Sequence, residues 1–261
     1  YRMNATIGYF PKPYIALVDG IAMGGGVGIS VHGSHRVATE KMLFAMPETG
    51  IGLVPDVGGG YFMPRLAGEA GMFLALTGTR LKAADCVAFG IATHFVPSDR
   101  LTALIDALAA ADLADSAAVD AVIADFVGDP GPAQVIEHQS QIDRHFAAPS
   151  VEAIIAALDG DDDPWAQDVA KIMRRMSPTS MKLTYRQMRE GRSLGLKDAL
   201  KLEYRLVSTI KDGHDFFEGV RALLIDKDRN PQWRPADLAD VTPDLIAAYF
   251  QVPAWGDLDF A

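Results

Sequence analysis

Apolar positions fall in short bursts over the first hundred residues and in helical stripes beyond them. Tyr14 to Val18 is a short, partly β-branched apolar run between Pro13 and Asp19-Gly20, which predicts a buried strand. Gly24-Gly25-Gly26 come next. Val27 to Val31, apolar and free of proline, predicts a helix that starts within the glycines, so that its first N–H groups point back into the loop. Arg36 to Thr39 and Met42 to Ala45 predict two more short strands around Glu40-Lys41, closed by a turn at Pro47-Glu48-Thr49-Gly50. Ile51 to Gly60 reads as a glycine-rich loop. Helices are predicted over Tyr61 to Leu66, Met72 to Leu76 and Ala83 to Phe89, with Thr77-Gly78 and Gly90 as stops. Ile91 to Val96 predicts a strand, and Asp99 an N-cap for a helix over Arg100 to Ala111.

Small alternating strands and helices make an α/β layout of residues 1–111. From about Asp112 helical periodicity continues with hardly any strand signal, broken at Gly128-Asp129-Pro130-Gly131-Pro132, at Gly160 to Pro164 and at Ser177-Pro178. Residues 112–261 are therefore expected to be a mainly helical region.

Composition narrows the classes. With 261 residues, 49% hydrophobic and 22% charged, the chain can bury the core of one large domain or of a domain with an appendage. The single cysteine, Cys86, excludes an internal disulfide and a Cys-rich metal site; it reads as a small apolar residue on a helix in a reducing compartment. No apolar run reaches the roughly 18 to 20 residues of a membrane span and no signal peptide is visible, which predicts a cytoplasmic or mitochondrial-matrix protein. A net charge of -10 without a basic stripe argues against nucleic-acid or anionic-membrane partners, while a few basic residues around one cleft remain enough for an anionic small ligand.

The chemistry concentrates near the glycines. Ser30 is the only hydroxyl close after them and no lysine follows, so the loop lacks the parts of a nucleotide-phosphate cradle; the dinucleotide spacing fails as well. A backbone hole for a developing oxyanion fits better, with close helix–strand packing as the alternative. Glu48 lies between Leu43-Phe44-Ala45-Met46 and Ile51-Gly52-Leu53-Val54, and burial against apolar walls would raise its pKa and ready it for proton transfer or attack. Asp56, framed by Pro55 and Val57-Gly58-Gly59-Gly60, is a second acid or else a helix cap. His32 and His35 read as surface or edge histidines, and Asp161-Asp162-Asp163 as a solvated turn, since the calcium-loop alternation is absent. No metal is expected.

Pro11-Lys12-Pro13, Asp19-Gly20, Met23-Gly24-Gly25-Gly26, Ala45-Met46-Pro47-Glu48, Gly52-Leu53-Val54-Pro55-Asp56-Val57-Gly58-Gly59 and Leu76-Thr77-Gly78 together resemble the crotonase (enoyl-CoA hydratase/isomerase) superfamily. Ser177-Pro178-Thr179-Ser180, Phe217-Glu218-Gly219-Val220-Arg221-Ala222 and Pro231-Gln232-Trp233 are similar to the C-terminal part of its hydrolase branch. The resemblance implies a spiral of ββα repeats with N-terminal repeats lying upstream of Tyr1, followed by the helical region. It implies Gly25 as an oxyanion N–H donor with Gly24 beside it, and Glu48 and Asp56 as substrate-binding and catalytic acids. The second oxyanion donor and much of the adenine pocket would lie before the position matching Tyr1.

Hydratases of the superfamily usually carry a catalytic Glu where this chain has Gly28, and tend to carry Gly where it has Asp56. The implied activity is therefore hydrolysis of a short 3-hydroxyacyl-CoA thioester, 3-hydroxyisobutyryl-CoA of valine breakdown being the expected substrate. An enoyl-CoA hydratase or isomerase, and a non-catalytic acyl-CoA binding module, are the alternatives. Coenzyme A enters as part of the substrate, no separate cofactor is expected, and a homo-oligomer stays open. Arg174, Arg175 and Lys227 are candidates for the CoA phosphates but read as residues of a solvated face.

Overall fold

The computed structural model describes residues 1–260. In chain order the strands are β1 (Ile15–Val18), β2 (Ile21–Met23), β3 (His35–Ala38), β4 (Leu43–Ala45), β5 (Leu81–Lys82) and β6 (His94–Phe95). The helices are α1 (Arg2–Gly8), α2 (Gly25–Gly28), α3 (Gly59–Phe62), α4 (Ala70–Thr77), α5 (Ala83–Ala88), α6 (Leu101–Ala110), α7 (Ser116–Ala124), α8 (Gln139–Phe146), α9 (Val151–Asp159), α10 (Pro164–Met173), α11 (Pro178–Gly191), α12 (Leu196–Ile210), α13 (His214–Val220) and α14 (Pro243–Tyr249). The chain packs as two compact units that interleave along the sequence: one holds Tyr1, residues 46–79 and 139–261, the other residues 2–45 and 80–138.

All six strands belong to the second of these units. Strands β1 to β4 alternate between two sheets, β1-β3-β6 and β2-β4-β5, as expected of ββα repeats, whereas β5 stays in the sheet of β4 as its antiparallel neighbour and β6 returns to the other sheet. Ile15 pairs with His35 and Val18 with Ala38 in parallel, and Ile21 pairs with Leu43 and Met23 with Ala45, also in parallel. The short strands β2 and β5 escape the sequence pattern because three and two residues are too few to show a period. Val37, Val96, Leu104, Val119 and Ile123 form this unit's core. His35 is buried, with Nδ1 2.8 Å from Ser34 Oγ and Nε2 3.2 Å from Asp120 Oδ1, which corrects the reading of it as a surface histidine. Asp99 does not cap α6: a 3-10 turn over Ser98–Arg100 leads in, and Arg100 takes the cap position without a side-chain bond. Cys86 is buried on α5 and unpaired by disulfide.

The other unit is helical. Its starts follow from capping chemistry: Ser150 accepts from Ala153 N–H, Asp163 from Trp165 N–H, Ser177 from Ser180 N–H and Thr242 from Leu245 N–H, and α10, α11 and α14 each place a proline in their first turn, where no N–H is needed. Those cap–proline pairs are the breaks read at 160–164 and 177–178. The core joins Leu183 of α11, Leu202, Leu206 and Ile210 of α12, and Ile246 of α14 with Val54, Val241 and Phe250. Asp161 pairs with His145 and Arg144, and Asp163 serves as the α10 cap, so this acidic run is engaged in structure.

Candidate active site

Glu48 opens a 3-10 turn, Glu48–Ile51, that Gly52 ends in the left-handed conformation at φ 71°. Helices fix this turn from several sides. Ser177 N–H at the start of α11 donates to Thr49 O at 3.1 Å. A Cβ on Gly52 would lie 2.3 Å from Asp215 O, and one on Gly219 of α13 would lie 2.5 Å from Ile51 O. The backbone therefore packs here at a distance only glycine allows. Glu48 is 4% exposed, and its Oε2 is buried without a hydrogen-bond partner. Burial pushes its pKa up to about 8; its own N–H pulls the other way, and the Asp56 charge adds to the rise.

Asp56 follows in a loop of unusual backbone. Val57 takes φ 52° and Gly58 φ 92°, two successive left-handed residues, the first β-branched. Gly59 N–H donates to Asp56 O at 2.8 Å. The Asp56 side chain is half-buried and accepts a hydrogen bond from the Tyr1 hydroxyl, Oη to Oδ2 2.9 Å. Burial raises the Asp56 pKa, while the Tyr1 bond favours its ionised form. The Tyr1 phenol is in turn held well above its ordinary range by burial and by the Asp56 and Glu203 charges. Glu48 and Asp56 are thus brought into one electrostatic environment, and the raised pKa of Glu48 is the one its apolar flanks implied.

Two further residues complete the loop's support, and neither was singled out in the sequence. Glu203 of α12 is wholly buried and accepts from Gly58 N–H and Gly60 N–H, each at 2.8 Å. Burial raises its pKa to about 8 against the pull of those two N–H groups. Gln187 of α11, also wholly buried, donates from Nε2 to Pro55 O at 2.6 Å. The signal for both was present: each is a polar residue on the apolar stripe of an amphipathic helix, Glu203 among Ala199, Leu206 and Ile210, Gln187 among Leu183, Met188 and Gly191. Tyr1 carried no comparable mark.

The glycine loop lies in the strand-bearing unit. Gly24 takes φ 51° and ψ -123° as the N-cap of α2, a conformation that excludes side chains, and the one-turn helix is shorter than the expected run to Val31. Its bonds begin with Val27 N–H to Gly24 O at 3.0 Å; Gly25, as the first helical residue, has no intrahelical acceptor for its N–H. A Cβ at Gly24 or Gly25 would meet nothing within 4 Å, so close helix–strand packing does not account for these two glycines. Arg174 pairs with Asp159, Arg175 gives its carbonyl to Trp233 Nε1–H, and Lys227 is exposed at φ 58°, all on solvated faces.

A family model described as Enoyl-CoA hydratase/isomerase matches residues 1–250. The chain is 50% identical over 265 residues to 3-hydroxyisobutyryl-CoA hydrolase, mitochondrial, of Rattus norvegicus, covering 100% of this chain and 69% of that protein. It is 49% identical to the Homo sapiens protein of the same name, again over 265 residues, 100% of this chain and 69% of the relative. Among solved structures, a carnitinyl-CoA dehydratase from Mycobacterium thermoresistibile superposes with a TM-score of 0.91 at 41% identity, over 100% of this chain and 74% of that one. An enoyl-CoA hydratase from Rhodobacter sphaeroides superposes with a TM-score of 0.89 at 39% identity and the same coverage.

Proposed function

The chain belongs to the enoyl-CoA hydratase/isomerase family, and we infer that within it the protein hydrolyses a short 3-hydroxyacyl-CoA thioester, 3-hydroxyisobutyryl-CoA to 3-hydroxyisobutyrate and CoA, as in valine breakdown. Identity of 49 to 50% along the whole chain to hydrolases of that name supports the reaction. The observation in the site that carries the mechanism is the orphaned, buried Oε2 of Glu48 beside a second carboxylate.

In the proposed reaction the Gly25 N–H polarises the thioester carbonyl, a contribution of about 10² to 10³ in rate for one such donor. Glu48 either attacks the carbonyl carbon, forming a mixed anhydride as the C–S bond breaks, which water then cleaves to release the hydroxy acid and restore the carboxylate, or takes a proton from the water that attacks the thioester directly as the C–S bond breaks. A base with a pKa of about 8 is well matched to that proton transfer near neutral pH. The CoA thiolate leaves with little acid assistance, because a thiol ionises near pH 8.5, so Asp56 is assigned to holding the 3-hydroxyl or the water. Thioester, water and carboxylates balance the reaction, and the proposal includes no cofactor beyond the CoA of the substrate. No described helix is long and apolar enough to cross a membrane. A matrix or bacterial cytoplasmic location is part of the proposal, supported on one side by relatives named mitochondrial.

The two solved relatives, a carnitinyl-CoA dehydratase and an enoyl-CoA hydratase by name, keep hydration as the second reading. Against it stands Gly28, which offers no side chain to move a proton where hydratases usually carry a second acid. Free-thiol release from 3-hydroxyisobutyryl-CoA, followed beside the enoyl absorbance of crotonyl-CoA, separates the two. Hydrolysis predicts thiol release that Glu48→Gln lowers by about 10² to 10⁴ while binding of CoA thioester survives. Rapid loss of enoyl absorbance with no thiol would overturn the assignment, unchanged turnover in Glu48→Gln would remove Glu48 from the mechanism, and CoA-thioester binding with no turnover of either substrate by the parent would point to a binding module.

A further inference from the structure

We propose that Tyr1 and Glu203 are positioning residues that together aim Asp56 at the substrate, the first through its carboxylate and the second through the main chain that follows it. The proposal rests on the role given to Asp56 above and deepens it.

Asp56 is held at each of its attachments. Before it, Pro55 O accepts from Gln187 Nε2–H at 2.6 Å. After it, Glu203 collects Gly58 N–H on Oε2 and Gly60 N–H on Oε1, both at 2.8 Å, in a bidentate grip on the turn. Its side chain takes the Tyr1 hydroxyl on Oδ2 at 2.9 Å. The grip leaves no slack: a Cβ on Gly60 would lie 2.8 Å from Gln187 Nε2 and 3.2 Å from Glu203 Oε1.

Several of these features are poor choices for stability alone. Val57 is β-branched at φ 52°, a strain that persists only where the surroundings impose it. Glu203 is a carboxyl group at 0% exposure that accepts from two main-chain N–H groups, where an apolar residue of α12 would extend the Leu202–Leu206 packing at no desolvation cost. Tyr1 places a phenol against the acid from a position remote in sequence. What these costs have in common is the orientation of the residue they surround. With the backbone on both sides pinned and one carboxylate oxygen tied to Tyr1, Asp56 meets the substrate without having to order itself, which is the condition for effective positioning.

A double-mutant cycle reads the proposal directly. Thiol release from 3-hydroxyisobutyryl-CoA is measured for Tyr1→Phe, Glu203→Gln and Asp56→Asn, and for each of the first two combined with Asp56→Asn, with melting temperature followed in parallel. Tyr1→Phe removes one oxygen, and Glu203→Gln leaves an acceptor for only one of the two N–H groups. Each is expected to lower kcat about tenfold to a hundredfold with KM little changed, and to lose that effect when Asp56 is already Asn, the coupling expected of residues that act through one another. A purely structural role predicts the same loss in both backgrounds and would overturn the proposal, as would parental kcat in both single variants. If Glu203→Gln does not fold, Tyr1→Phe decides alone. Failure of the underlying reading looks different: Asp56→Asn itself would then turn over like the parent.

Discussion

A carboxyl oxygen buried without a partner is costly, by about 1 to 3 kcal/mol or more for a charged group, and Glu48 Oε2 is such an atom. Its environment also dictates how the proposed activity responds to pH. As nucleophile or base Glu48 must be ionised, yet burial and the neighbouring Asp56 charge hold its pKa at about 8. The fraction of competent free enzyme therefore grows as pH rises, and kcat/KM is expected to climb through an acid limb near pH 8 instead of the 4 to 5 of an ordinary Glu. Replacing Asp56 by Asn removes a negative charge from beside Glu48, so the limb should move to lower pH in that variant even as the rate falls. A limb that lies near pH 4.5 in the parent, or does not move in Asp56→Asn, would show that the two acids are not coupled in the working enzyme.

At the scale of elements the site depends on backbone meeting backbone. The Glu48–Ile51 turn and the start of α13 pack through Gly52 and Gly219, where a Cβ would lie 2.3 Å from Asp215 O and 2.5 Å from Ile51 O. Gly52→Ala adds a clash to a left-handed φ of 71°, so it should cost at least roughly 2 to 3 kcal/mol and lower kcat by displacing Glu48. Denaturant unfolding checks the first effect and thiol release the second; a variant within about 0.5 kcal/mol of the parent would mean that the joint gives way freely. Such contacts are also where sequence reading stops. The strands β1, β3 and β4 were legible from their flanking turns, the helical character beyond residue 112 from its periodicity with breaks at 160–164 and 177–178, and Glu48 from the apolar residues around it. Glu203 and Gln187 were missed although their places on apolar stripes marked them, because a stripe position says that a side chain is buried and not what it holds. The link between Tyr1 and Asp56, 55 residues apart, has no local pattern to betray it. Asp99 had a capping residue's identity without its geometry, which the 3-10 entry of α6 decided.

Taken over the whole molecule, the buried acids fix how stability varies with pH. Glu48 and Glu203 have folded pKa values of about 8 and that of Asp56 is also raised, whereas in the unfolded chain all three ionise near pH 4. Between those limits the native state keeps protons that the unfolded state has released, so unfolding free energy falls as pH rises from about 4.5 to about 8. Carboxylates whose pKa is lowered, such as Glu218 at about 2, Asp19 and Asp257, are ionised in both states over that window and add no slope; they act only below it. His94, lowered mainly by burial, works in the opposite direction below its ordinary pKa of about 6.5, but it is one partly exposed ring against two or three buried acids. The net charge of -10 adds self-repulsion that also grows with pH, and the parent alone cannot separate that from the site. Glu48→Gln can, because both proteins share every other charge. Its melting temperature should lie nearer the parent's at pH 5 and rise above it progressively to about pH 8, a window in which the parent's unfolded chain gains by releasing the Glu48 proton and the amide has none to release, and level off beyond. If the difference between the two is the same at pH 5 and pH 9, Glu48 does not hold its proton in the native protein, and the electrostatics assigned to the site are wrong at their source.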